Sequence, residues 1–110
     1  MREIKFRAWD KENNIMIGPF EVGSELSMLW PPEMQYTGCK DKNEKEIYEC
    51  DITIDHIGVG VVKFSERGWK VSYVGHNKGI GKYFANYLDA EWNTFEIIGN
   101  IHENLELLEN

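Results

Sequence analysis

The chain has 110 residues, 42% of them apolar and 13% aromatic. That is enough for one domain with its own core and too apolar for a disordered chain. Twelve basic residues stand against 19 acidic ones, a formal net charge of −7, which repels nucleic acid and anionic membranes unless the charge is unevenly spread. No apolar run approaches a membrane span, and the opening MREIKFRAWD holds no signal core. The expected setting is the cytoplasm, where the two cysteines would be reduced thiols.

Period-two alternation dominates the chain. In EIKFRAW, Ile4, Phe6 and Ala8 alternate with Lys5, Arg7 and Trp9, which predicts a strand with the first set buried and the second in solvent. The polar cluster DKENN, residues 10–14, predicts a turn, with IMI returning as the paired strand. Phe20, Val22, Leu26, Met28 and Trp30 continue a loose alternation until Pro31 and Pro32 stop it. MQYTG reads as another strand. Beyond the charged loop, EIYECDITI, IGVGVVKF and GWKVSYV are rich in β-branched and aromatic residues, and Gly58 and Gly60 mark a bulge or tight bend. The one longer helical candidate is KYFANYLDAEW, residues 82–92, where Phe84, Tyr87, Leu88 and Trp92 fall near one face. TFEIIGNIHE returns to strand, and NLELLE suits a terminal helical turn.

The expected fold is mainly β, a small barrel or sandwich of short antiparallel strands with at most one or two short helical segments. It forms one domain over residues 1–110. The double proline could set an N-terminal half, 1–32, against a barrel-like part, 33–110.

The stretch TGCKDKNEKEIYECDI, residues 37–52, carries seven charges within residues 40–49, between Cys39 and Cys50. Asp41, Lys42, Asn43 and Glu44 have the composition of a type I turn closing a β-hairpin, with Asp first. Such turns need a left-handed residue next, here Asn43 or Glu44. The interleaved signs of the charges predict a loop bathed in water.

MREIKFRAWD at the start, MQYTG-KDKN-KEIYE-DI in the middle and FEIIGNIHEN-ELL at the end together resemble the YopX family. These are small proteins of phages and prophages with no established activity. The likeness leaves residues 15–33 and 65–90 unmatched. It implies a mainly β fold with a small barrel and a home in the bacterial host cytoplasm, and it carries over no catalytic residue. The family typically has a hydrophobic residue where Cys39 stands, glycine where Glu44 and Cys50 stand, and proline where Leu105 stands. A family that usually lacks these cysteines is not built on a cysteine-dependent site.

The remaining constellations are weak. Cys39, Cys50 and His56 offer three zinc ligands without a CxxC or HxxxH pair or a fourth ligand, so no metal and no cofactor is expected. Asp51, Asp55 and His56 resemble a hydrolytic cluster, but on a strand His56 points away from the two carboxylates. GIG, residues 79–81, lacks the context of a phosphate loop. No catalytic residue follows from any of these, and an enzyme is not expected.

Charge is nonetheless uneven. Lys63, Arg67, Lys70, Lys78 and Lys82 face Glu66 alone, with Trp69, Tyr73 and Tyr83 nearby. Basic residues interleaved with aromatics hold single-stranded nucleic acid, although Trp69, Val71 and Tyr73 share a face that suits a core. Two readings follow: a non-enzymatic module that associates with itself or binds a phage or host protein through aromatic anchors, and, as the alternative, a nucleic-acid-binding small barrel using segment 63–83. Tight binding to duplex DNA and contact with a membrane are not expected.

Overall fold

The computed structural model describes residues 4–30, 33–66, 68–75, 79, 81–83 and 95–108. The fold is mainly β, two small antiparallel sheets of which one is a half-barrel. The first sheet contains β1 (Phe6–Asp10), β2 (Ile15–Phe20), β3 (Met34–Lys40) and β4 (Glu46–Tyr48), ordered β2-β1-β3-β4. The second contains β5 (Asp51–Ile54), β6 (Val59–Ser65), β7 (Gly68–Tyr73), β8 (Gly81–Tyr83) and β9 (Glu96–Asn100), ordered β8-β7-β6-β5-β9.

The polar cluster at residues 10–14 does turn the chain. The Asp10 carboxylate accepts from the backbone N–H groups of Glu12 and Asn13 and from the Asn13 amide, so IMI returns along β1 with Ala8 opposite Ile17 and Asp10 opposite Ile15. The alternation read through residues 20–30 ends early. A short helix, α1 (Glu25–Leu29), occupies that ground, because Leu, Met and Glu are good helix formers and no β-branched residue interrupts them. The first sheet runs across the double proline: beyond it, Gln35 and Met34 of β3 pair with Phe6 and Arg7 of β1. Of the helical candidate at 82–92, Lys82 and Tyr83 belong to β8, and the rest lies outside the described residues. The tail does form a helical turn, of 3-10 type, over Leu105–Leu108.

EIYECDITI is two strands rather than one. Cys50 sits between them at φ 74°, and this left-handed corner carries the chain from the first sheet to the second. Both sides of the corner are fixed, since Cys50 N–H donates to Val62 O at 2.9 Å and Ile101 N–H donates to Cys50 O at 3.0 Å. Gly60 lies inside β6 opposite Tyr73. A Cβ there would fall 2.4 Å from Val71 Cγ1, so only glycine lets β7 lie this close.

β3 and β4 close the core over one face of the second sheet. Ile47, Val62, Trp69, Val71, Tyr73 and Phe95 form its buried cluster, with Cys39, Ile57 and Ile97 packed against it. Each such side chain contributes about 2 kcal/mol of transfer free energy.

The charged hairpin is the hinge of this arrangement. Glu44 N–H donates to Asp41 O at 3.0 Å, Asp41 N–H donates to Lys45 O at 2.8 Å, and Glu44 has φ 65°. That is the expected turn, with the left-handed residue at Glu44. Lys42, Asn43, Glu44 and Lys45 are exposed. Asp41 is not: only 2% of it meets solvent, because the turn docks on β9. Its carboxylate accepts from Asn43 N–H at 2.8 Å, Lys45 N–H at 2.9 Å and Ile97 N–H at 2.9 Å, and Lys42 N–H donates to Phe95 O at 2.9 Å.

Two stability predictions follow from the hairpin. Glu44→Gly relieves a Cβ strained by about 1 kcal/mol, offset in part by unfolded-chain entropy, so urea unfolding at unchanged slope should give a net gain of about 0.3–1 kcal/mol. Asn43→Gly should bring no such gain, since Asn43 is not left-handed; a lower midpoint for Glu44→Gly contradicts the assignment. Asp41→Ala leaves three backbone donors without their acceptor and should cost about 3 kcal/mol or more, and Asp41→Asn, which keeps an acceptor oxygen, should cost less.

Candidate functional site: the seam and the exposed surfaces

β1 was expected to keep Lys5, Arg7 and Trp9 in water. The structure covers both faces: Ala8 is fully buried as expected, but Lys5, Arg7 and Trp9 are half-buried as well. Arg7 is the clearest case, with 13% of its side chain exposed, whereas Ile4 on the supposedly buried face is 60% exposed. The neighbouring strands of the same sheet supply Tyr36, Tyr48 and Glu46 beside these side chains, and the corner at Cys50 brings Asp51 within reach of Arg7. Arg7 Nη2 donates to Asp51 Oδ1 at 2.6 Å and to Glu49 O at 3.2 Å, while its guanidinium lies 4.8 Å from the Tyr48 ring centre. Lys5 stands 4.9 Å from the Tyr36 ring centre and pairs with Glu46. Tyr36 and Tyr48 face each other across β3 and β4, centroids 5.4 Å apart. Arg7 Nε is buried without a hydrogen-bond partner.

The chemistry of this seam is that of a joint. Burial pushes the Asp51 carboxyl up, against the pull of Arg7 and of the Tyr48 N–H at 2.8 Å. Burial, with Glu46 beside it, pushes the Tyr48 phenol up. The Cys50 thiol is raised by burial and then by Glu49, which keeps it protonated and poorly nucleophilic at neutral pH. At the far end Trp9 stacks on His102, ring centres 5.3 Å apart and planes within 12°, and burial lowers the His102 pKa.

The groups weighed for metal or hydrolytic chemistry are dispersed. Cys39 packs on the core, Cys50 holds the corner, and His56 is exposed in the turn after β5. Asp51 is committed to Arg7. Asp55 accepts from Ile57 and Gly58 N–H through Oδ1 and from the Tyr73 hydroxyl through Oδ2. Among the described residues no three His, Cys, Asp or Glu side chains gather as a metal site.

Trp69 and Tyr73 lie on the face of the β6–β7 pair opposite to the one that carries Lys63 and Lys70. Trp69 and Tyr73 point into the core, 7% and 2% exposed, because period two carries Trp69, Val71 and Tyr73 to one side. That burial corrects their reading as nucleic-acid contacts. Lys63 and Lys70 are cross-strand partners on the other side, and Tyr83 follows Lys70 in register on β8. Lys82 pairs with Val71, while Arg67 and Lys78 lie outside the described residues. Phe64, which sequence did not single out, is 62% exposed with its ring edge-on to Trp69 at 4.8 Å.

A second exposed surface also escaped the sequence. Val22, Leu26, Met28 and Leu29 are 64%, 40%, 84% and 74% exposed. Between Lys11 and Lys40 the chain has no Lys or Arg, and Glu21, Glu25 and Glu33 are exposed there. Ser24-Glu25 ahead of Leu-Ser-Met-Leu is the helix-start signal that would have broken the strand reading.

The seam is testable by a mutant cycle. Arg7→Met leaves Asp51 buried without its cation and should cost about 3–5 kcal/mol near neutral pH; Arg7→Met with Asp51→Leu should recover much of that loss. Losing Arg7 raises the folded pKa of Asp51 further above its ordinary 3.8. A raised folded pKa favours folding fully only below the unfolded value, so the Arg7→Met deficit should be smallest under acid conditions and grow as pH rises through the folded pKa. A deficit that shrinks with rising pH contradicts this account.

The three sequence blocks singled out above meet in pairs. Arg7 reaches Asp51 and Glu49, Asp41 reaches Ile97, and Trp9 reaches His102. No curated protein matches the chain in sequence. Among solved structures, the crystal structure of protein EF1440 from Enterococcus faecalis is similar in fold, with a TM-score of 0.66 at 22% identity over 99% of this chain and 100% of that one. Residues 19–109 match the YopX protein family, and with the match spanning most of its length, the chain belongs to the YopX family.

Proposed function

We propose that this protein is a non-enzymatic phage or prophage accessory module of the bacterial cytoplasm, working through association with itself or with another protein. One observation carries the reading: four large apolar side chains stand in solvent along residues 22–29, more than a chain with a packed core needs to leave uncovered. The ionisable groups away from solvent add support, because half-buried Arg7 and Asp55 and buried Asp41 and Asp51 are each occupied in holding the fold. The nucleic-acid alternative keeps one point in its favour, the side-by-side Lys63 and Lys70. Against it stand the net charge of −7 and the burial of Trp69 and Tyr73.

Affinity capture of the tagged protein from phage-infected cells, with and without nuclease, separates the two. The expected result is recovery of a protein partner, or of untagged copies of this chain, unchanged by nuclease. Recovery that disappears with nuclease would favour the alternative.

A further inference from the structure

We infer that the acidic apolar surface around α1 is the docking site for a basic amphipathic helix of another protein. The inference rests on the protein-binding half of the reading above and assigns it a surface and a partner chemistry. α1 has five residues; Ser24 makes no capping bond, its hydroxyl donating instead to Glu21 O. A helix this short is unstable alone, and Glu25, Leu26, Met28 and Leu29 are all exposed, so its own chain gives it little cover. Leu26 and Leu29, three apart, are neighbours on the helix surface, and Val22 and Met28 add to the exposed apolar area. Such a ridge is what a second helix packs against.

Charge selects the partner. Glu21 and Glu25 are exposed, and residues 12–39 hold four glutamates and no Lys or Arg. An apolar patch with an acidic rim is matched by an apolar stripe with a basic rim, the pattern of an amphipathic helix that carries lysine or arginine beside its apolar face. The surfaces of a second copy do not supply that pattern. Pairing α1 with α1 sets Glu21 and Glu25 of two copies against each other. Phe64 lies on the Trp69 face of the β6–β7 hairpin, whereas Lys63 and half-buried Lys70 lie on the opposite face. Leu105 and Leu107 are exposed among Glu103 and Glu106. The occupant is therefore a different protein. The patch is small, so binding should be weak and should fall as salt rises.

Fluorescence anisotropy tests the site with a labelled peptide of about 18 residues, long enough to hold a helix, with leucine along one face and lysine on the rest. The same peptide with glutamate for lysine controls for charge, and the lysine peptide in scrambled order controls for pattern. Wild type should bind the lysine peptide and neither control. Glu21→Lys with Glu25→Lys should lose at least about tenfold in affinity for the lysine peptide and gain affinity for the glutamate one, a gain that an unfolded variant does not show. Met28→Ser, changed at an exposed position, should weaken binding and keep the preference for lysine. Glu66→Lys with Glu106→Lys makes the same change in net charge at exposed positions outside α1 and should leave the affinity within about threefold. A control variant that loses as much as the α1 variant overturns the site, because net charge alone then explains binding. Wild type that ignores the lysine peptide, or binding that is indifferent to Met28→Ser, overturns it too. Sedimentation of the protein alone that shows association abolished by Met28→Ser gives the surface to a second copy and overturns the partner named here. The broader protein-binding reading fails separately, when nuclease-independent capture recovers no protein.

Discussion

The carboxylate of Asp41 accepts three backbone N–H groups, two from its own turn and one from Ile97 of β9. The first two fix the hairpin geometry, with Glu44 forced left-handed. The third ties that hairpin to a strand fifty-six residues further along the chain. A buried carboxylate is tolerable only when its lone pairs are taken up by donors, and here three donors satisfy it in a site that is 2% exposed. With the turn anchored, β3 and β4 lie over the second sheet, Ile47 and Cys39 reach Trp69, Val71 and Phe95, and the core closes.

Arg7 makes the complementary link from the other side. Desolvating a guanidinium and a carboxylate costs several kcal/mol per ion, so such a pair contributes little net stability compared with an apolar filling. Its effect is on specificity. Arg7 reaches both Glu49 O and Asp51 at the Cys50 corner, so a slipped register of β1 would strand a charge. The tyrosines add apolar area to the seam and faces for the cations.

Much of the strand order was readable from alternation and turn chemistry. The turn at residues 10–14 and the hairpin at 41–44 announce themselves because Asp and Asn bond their own backbone. The left-handed residue followed from the same logic, in agreement with φ 65° at Glu44, whereas φ 74° at Cys50 had no such local signal. What alternation cannot give is how far the second face of a strand is covered by its neighbours. Lys5 and Arg7 looked solvated because they are charged, yet their long stems and fixed charges suit a half-buried seam lined by tyrosine and carboxylate. Asp41 was taken for one more loop charge because its third donor, Ile97, is remote in sequence. α1 was missed because Leu26, Met28 and Trp30 happen to keep period two across a helical turn.

The pairing of β9 with β5 joins Asp51 to Asn100 and Ile54 to Glu96, with β6, β7 and β8 all made in between. During synthesis β5 can pair with β6 as soon as that strand emerges, but its other edge has no neighbour until residue 100 has left the ribosome. For that interval a strand reading Asp-Ile-Thr-Ile presents unpaired N–H and C=O groups, the form of edge that recruits other chains. The aspartate at the head of that edge lowers its appetite for a neighbouring strand, and the emergence of β9, which covers it, is the point at which that edge becomes safe from aggregation.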